Sequence, residues 1–294
     1  MSQPVAAALA PLPFELVYDD GEPLETEWDT YELPLLREVI GQAMAEQGRI
    51  DFYAGMNMLV YYSVEQAREV AEEEAKRKPK KAFRGPDVFW VGGVDPDRER
   101  RIWIAWEEGG RLPDVIFEML SPSTAKKDRT EKRDLYSRVF GTAEYFLYEP
   151  KTRKLEGFRL AGRFYQPIQP DENGRLWSEE LGASVGLWHG IAVKALQKRE
   201  DDWLRLFRPD GSLVPTEAEA ERQHAVEARQ RAEEERQRAE KERLRAEAEH
   251  QRAEEERQRA EEERQRAEEE RQRANAAEAE LARLRALLGE RGKA

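Results

Sequence analysis

PDVIFEMLSPST, residues 113–124, joins an apolar run of strand length to a turn signal and carries one acid inside it. Val115, Ile116 and Phe117 are β-branched or aromatic, and Ser121-Pro122-Ser123-Thr124 ends the run, so a strand over 113–120 is expected. Side chains alternate across a strand, which puts Asp114, Ile116, Glu118 and Leu120 on one face. Glu118 therefore points where an apolar side chain would ordinarily go. A carboxylate in such surroundings is costly unless it is paired or holds a metal.

Three more strand-like runs flank this one: PDVFWVGGV (86–94), RIWIAW (101–106) and AEYFLY (143–148). The first ends at Gly92-Gly93, the second at Gly109-Gly110 and the third at Pro150, all ordinary strand stops. Between 124 and 141 the pattern is helical, with Ser123 or Thr124 as N-cap and Asp128 in the first turns. Its apolar face is expected at Leu135, Tyr136, Val139 and Phe140, and Gly141 closes it. Upstream, Leu33, Leu36, Val39, Ile40 and Met44 follow three- and four-residue spacing, so a helix should begin near Thr30. DFYAGMNMLVYY (51–62) reads as a strand pair or one bent strand. Val64 to Lys78 reads as a charged helix limited by Pro79. Short strands up to Trp188 suggest an antiparallel extension. The order helix, three strands, helix, strand predicts a mixed α/β sheet.

Two aspartates open Pro-Asp-Val runs, and either could partner Glu118. Asp114 lies four residues from Glu118 on the same strand, or about 13 Å at roughly 3.3 Å per residue. Two carboxylates on one Mg²⁺ must each approach to about 2 Å. Asp87, on a neighbouring strand, meets that condition better, and Asp114 reads as a strand-start turn residue.

Beyond Pro215 the chain changes character. Alanine recurs every seven residues from Ala218 to Ala274, and the register continues to Leu281 and Leu288. Arg, Gln and Glu fill most of the rest, with Glu ahead of Arg by three or four residues, as in Glu234 and Arg238, which favours helix. Each heptad offers one methyl group rather than two large side chains, so a weak coiled coil and a solvated single helix are both open. Leu281, Leu284, Leu287 and Leu288 give the only conventional seam.

Net charge is −12 over 294 residues, and the tail from Thr216 holds 19 of the 49 basic and 23 of the 61 acidic residues, so both parts are acidic. That argues against a tight non-specific nucleic-acid binder. It leaves room for a nuclease, because metal ions and a local basic strip can hold a phosphate. There is no cysteine, so disulfides and thiolate metal sites are out. His189, His224 and His250 are isolated, which disfavours a histidine metal site. Met1 to Phe14 lacks a charged n-region, and no run approaches membrane-spanning length, so a cytoplasmic protein without membrane contact is expected. The layout is a loose lead-in over 1–29, a domain over 30–208, a linker at 209–215, a helix over 216–290 and an end at 291–294.

Asp87 in PDVFWVGGV, Glu118 in PDVIFEMLSPST, Asp128 and Lys132 in KKDRTEKRDLY, and GTAEYFLYEP together closely resemble the bacterial Uma-two family of restriction-endonuclease domains, within the PD-(D/E)XK nuclease superfamily. The resemblance covers roughly residues 30–208. It implies a restriction-endonuclease-like fold with an αβββαβ core. It also implies that Asp87 and Glu118, with the Met119 backbone carbonyl, bind Mg²⁺ or Mn²⁺ for hydrolysis of DNA. In the superfamily motif a lysine stands two residues after the glutamate, and here that position is Leu120. This family's pattern places a lysine at Lys132, four residues after Asp128 on the same helical face; the alternative is a surface pair between Lys132 and Asp128. Asp128 and Asp114 are supporting candidates. The expected partners are DNA and a second copy of the chain, the latter through the C-terminal helix. The competing expectation is an inactive nuclease-like scaffold that uses the helix to oligomerise or dock a partner.

Overall fold

The computed structural model describes residues 12–18, 26–76, 85–121, 125–194 and 197–291, with backbone alone at 194 and 284–291. Helix α1 (Asp29–Glu46) buries Leu33, Leu36, Val39, Ile40 and Met44, the stripe its spacing predicts. Each such side chain contributes about 1.5–3 kcal/mol of burial free energy. Strand β1 (Phe52–Met56) follows, then β2 (Val60–Tyr61), α2 (Val64–Ala75), β3 (Val88–Gly92), β4 (Trp103–Ile104) and β5 (Val115–Met119). A helix over residues 125–140, here the site helix, leads to β6 (Glu144–Glu149). Strands β7 (Lys154–Ala161) and β8 (Phe164–Pro167) complete a six-stranded sheet in the order β1-β3-β5-β6-β7-β8. Only β5 and β6 are parallel within it, joined by the site helix as crossover. The sheet is mixed, and α1, β1, β3, β5, the site helix and β6 form the αβββαβ core of a restriction-endonuclease-like fold.

The two faces of the sheet bury different partners. Val88, Trp90, Phe117, Phe146 and Tyr148 pack with α1. Phe89, Val91, Ile116, Leu120, Tyr145 and Leu147 pack with Tyr136 of the site helix. Both faces are covered, which is why β3, β5 and most of β6 read as continuous apolar runs rather than alternating ones.

RIWIAW does not enter this sheet. Only Trp103 and Ile104 form a strand, paired in parallel with Val60 and Tyr61, and Ala105–Glu107 turns into a 3₁₀ helix. DFYAGMNMLVYY is divided accordingly between β1 in the main sheet and β2 in this bridge. The guanidinium of Arg100 lies over Tyr53 and Trp103, so an aromatic run that reads as strand is held by side-chain stacking. α2 ends at Ala75, and Ser63 caps it by accepting from the Gln66 N–H.

A second sheet holds β9 (Leu176–Ser178), β10 (Ala183–Lys194) and β11 (Gln197–Phe207) in the order β11-β10-β9. Its Trp203, Leu204 and Leu206 join the α1 cluster, and Trp28 stacks on Trp203. The hairpin therefore runs well past Trp188. Residues 209–215 fold back on it, with the Val214 N–H donating to the Leu206 carbonyl.

The tail helix (Glu217–Arg291) starts on a capping box: Glu219 N–H donates to Thr216 Oγ1, and Thr216 N–H donates to Glu219 Oε2. Glu219 also receives the fully buried Arg205 guanidinium at 2.6 and 3.2 Å. The compact body extends to Ala220, and residues from Glu221 onward form a separate unit. Along it, i,i+4 pairs such as Arg243 with Glu247 are exposed. Among the described residues no helix is long and apolar enough to cross a membrane.

Candidate functional site

Val88 pairs with Phe117 in the last rung of the antiparallel β3–β5 ladder. One step further, Asp87 stands opposite Glu118, so both side chains leave the same face of the sheet, the face covered by the site helix. Directly opposed residues have Cβ atoms about 4.5–5.5 Å apart. Regular pairing stops here, and the Asp87 carboxylate takes over as acceptor, receiving the Met119 N–H on Oδ2 at 2.6 Å. In an antiparallel pair a residue's N–H and C=O turn to the same neighbouring strand. The Met119 carbonyl therefore faces the Asp87 side as well.

The site helix supplies the remaining groups. Asp128–Lys132 and Tyr136–Phe140 are π-helical, separated by the α-helical turn Arg133–Leu135. At about 3.6 residues per turn, side chains four apart drift round an α-helix in one sense. The wider π turns drift them back, so Asp128, Lys132 and Tyr136 stay in one line facing the sheet. Single π turns recur at functional sites. The same phase shift turns Val139 outward (53% exposed), although its spacing suggests the apolar face. Gly141 ends the helix in the left-handed conformation at φ 67°. Ser123 and Thr124, the expected caps, lie outside the described residues.

Lys132 Nζ lies 2.8 Å from Glu118 Oε2 and 2.8 Å from Asp128 Oδ1. Tyr136 donates its hydroxyl to Glu118 Oε1 at 2.6 Å. Tyr145, from β6, donates to the Asp128 backbone carbonyl at 3.0 Å and fixes that helical turn. Glu118 and Asp128 are each 1% exposed. Lys132 is thus more than a surface partner of Asp128: it bridges the helix carboxylate and the strand carboxylate. Leu120 is buried in the apolar cluster on this face, so no cation comes from that position.

The electrostatics follow first from burial and then from three acids around one ammonium. Burial pushes the Glu118 carboxyl up to about 8; Asp87 and Asp128 add to the rise, while Lys132 opposes it. Burial likewise raises Asp87 to about 6 against the pull of Lys132 and the Met119 N–H. Burial alone would lower Lys132, but the neighbouring carboxylates outweigh it and hold the ammonium charged. Tyr136 is raised well above the usual phenol range by burial and by Glu118, so it stays a donor.

Asp114 sits at the other end of β5. Its carboxylate accepts the Gly92 N–H at 2.8 Å and faces Arg111 at 3.1 Å, which occupies it as a strand-start brace. Tyr136 is the member of the cluster that its sequence conceals, because a tyrosine at helical spacing among apolar residues reads as core. The only sequence signal for it is the repeated interval of four from Asp128 through Lys132.

Asp87, Glu118 and the Met119 carbonyl are the groups here that could hold a divalent cation. All three are hard oxygen donors, and burial, helped by the neighbouring acids, is what raises both carboxyls. Among the described residues no group of three His, Cys, Asp or Glu side chains could hold a metal. Both Glu118 oxygens are engaged, Oε1 by Tyr136 and Oε2 by Lys132.

No curated protein shows significant similarity to the chain. Residues 36–194, more than half of the 294, match the Uma2 family, described as "Putative restriction endonuclease". The match spans α1 to β10 and includes every residue of the Asp87–Glu118–Lys132 cluster, so this chain belongs to the Uma2 restriction endonuclease family.

Proposed function

We propose that the protein is a metal-dependent endonuclease that hydrolyses phosphodiester bonds in DNA. The observation that carries this reading is the meeting of Asp87 and Glu118 on one sheet face, with Lys132 2.8 Å from the glutamate. Asp87, Glu118 and the Met119 carbonyl would hold Mg²⁺ or Mn²⁺, which when bound acidifies a water and neutralises charge on the phosphate. Lys132 offers an ammonium to the phosphate oxygens, where negative charge grows as the phosphorus gains a fifth substituent. Asp128 steadies that ammonium as well, its Oδ1 2.8 Å from Nζ. Tyr136 locks the rotamer of Glu118 by holding Oε1. A second copy of the chain, paired along the tail helix, would bring two such sites together to cut both strands.

The test is cleavage of supercoiled plasmid by the full chain in Mg²⁺ or Mn²⁺. Wild type should nick or linearise it, and Glu118→Ala should not. Equal inertness of both across metals and DNA substrates defeats the proposal.

A second reading is favoured by the same ion pairs. Lys132 bonded to Glu118 and Asp128 could serve folding alone, with Leu120 marking a lost catalytic lysine and the tail helix docking a partner. In that case removal of the helix beyond Ala220 abolishes oligomers or partner binding, and there is no cleavage to lose.

A further inference from the structure

A pocket of about 370 Å³ opens beside the Asp87–Glu118 cluster, at the C-terminal end of β5. Its walls include Trp28, Met119 and Pro150, and its polar groups include Asp29, Lys151, Arg199 and Asp201. Met119 is shared: its backbone belongs to the candidate metal site, and the residue also lines the pocket. Asp29 lies close enough for its charge to act on Asp87. The cavity and the cluster are therefore neighbours.

The lining selects an occupant by its chemistry. The volume is at the small end of the roughly 300–1,000 Å³ that ligand sites span. A phosphate inside would meet two carboxylates, Asp29 and Asp201. A nucleobase would meet apolar walls for its faces, and, for its polar edge, the remaining lone pairs of two carboxylates (Asp29 Oδ2 already accepts from Thr26) and the remaining N–H groups of a guanidinium. Arg199 is held for this by Asp201 at 3.2 Å, and the Asp201 Oδ1 accepts the Asp202 N–H. Trp28 is stacked 5.7 Å from Trp203, 9° from parallel, so this wall is rigid. Lys151 is exposed, and among the described residues it has no carboxylate partner, which leaves an ammonium at the rim for the attached phosphate.

We propose that this pocket receives one unpaired nucleobase of the strand being cut, next to the phosphate at the candidate metal site, with Lys151 on the backbone of that nucleotide. The proposal rests on the nuclease reading. A base within a duplex cannot reach such a pocket without leaving the stack, at a cost of a few kcal/mol that is least for mismatched, damaged or single-stranded sites. The substrate class is therefore DNA with an unpaired or readily extruded nucleotide, in preference to perfect duplex.

The experiment is photocrosslinking. A single-stranded oligonucleotide with iodouracil at each thymine position is irradiated with the full-length protein in Ca²⁺, and the adducts are mapped by mass spectrometry. In parallel, the same preparation is assayed for cleavage in Mn²⁺. Adducts should concentrate on the peptides carrying Trp28 and Met119. They should fall at least about tenfold in Ser121→Trp, which fills the cavity, and in Lys151→Glu, whose exposed position spares the fold. Cleavage with adducts only elsewhere overturns the pocket assignment and leaves the nuclease reading intact. Pocket adducts without cleavage remove the nuclease reading and overturn the proposal as a cut-strand site, leaving a base-binding pocket alone. Neither adducts nor cleavage removes both.

Discussion

Tyr136→Phe removes a single hydroxyl from the site and keeps the volume of a fully buried ring. In the wild type that hydroxyl donates to Glu118 Oε1 at 2.6 Å, and among the described residues no other donor reaches that oxygen. A hydrogen bond to a charged group contributes about 1.5–3 kcal/mol, against roughly 0.5–1.5 for a neutral pair. Burial holds the Glu118 carboxyl near 8, so the larger figure applies at about pH 9 and the smaller at about pH 6. The sign is fixed by the donor: the phenol favours the carboxylate, so its stabilisation is present above the Glu118 value and declines as pH falls through it. Urea unfolding of metal-free protein should therefore show a loss of about 2 kcal/mol at pH 9. With a slope of about 1–3 kcal/mol/M this is a midpoint shift of roughly 1 M. In the cleavage assay a loosened Glu118 should cost kcat about 10- to 100-fold, at 1.36 kcal/mol per decade, with KM less affected. A variant with wild-type midpoints at both pH values, and wild-type kcat, refutes the role given to this bond.

Three other outcomes follow from the same structure. Lys132→Met leaves the buried Glu118 and Asp128 without their shared cation, so metal-free protein should lose about 3–5 kcal/mol, and Mg²⁺ should restore part of the melting temperature; no loss in EDTA would contradict the pairing. Glu219→Ala strips the buried Arg205 of its carboxylate and breaks the capping box, which should cost about 3 kcal/mol in urea unfolding, the 30% exposure of Glu219 keeping it at the lower end; under about 1 kcal/mol would refute it. Glu32 is fully buried, accepts the Leu204 N–H on Oε2, and is raised well above the usual carboxylate range by desolvation. A raised carboxyl is stabilising below its unfolded value and loses that contribution as pH rises, so Glu32→Gln should raise the melting temperature at pH 7, and the gain should shrink as pH approaches 4. An equal shift at both pH values would contradict it.

The site was legible in sequence where a charge broke an apolar pattern. Glu118 inside VIFEML and Asp87 after a proline are each anomalous in a buried strand, and their cross-strand meeting follows from neighbouring order. α1 and the tail helix were legible because periodicity over several turns is a cumulative signal. RIWIAW was not, since β-prone residues announce an extended segment without saying which strand it pairs with, and here the partner is two residues long. The charged half of the last hairpin, QKREDD, carries no strand signature at all; it is extended because β10 pairs with it rung by rung. Tyr136 and the π turns escaped for a related reason. A hydroxyl's partner and a helix's local pitch are settled by what packs against them.

The claim on which the functional account stands is that a divalent cation sits between Asp87 and Glu118. Crystals of the full chain soaked in Mn²⁺ and measured for anomalous scattering test it most directly. The account predicts one peak within about 2.0–2.3 Å of a carboxylate oxygen from each residue and of the Met119 carbonyl, absent in Glu118→Ala. Well-ordered crystals with no peak there, and Lys132 still bonded to Glu118, would contradict it.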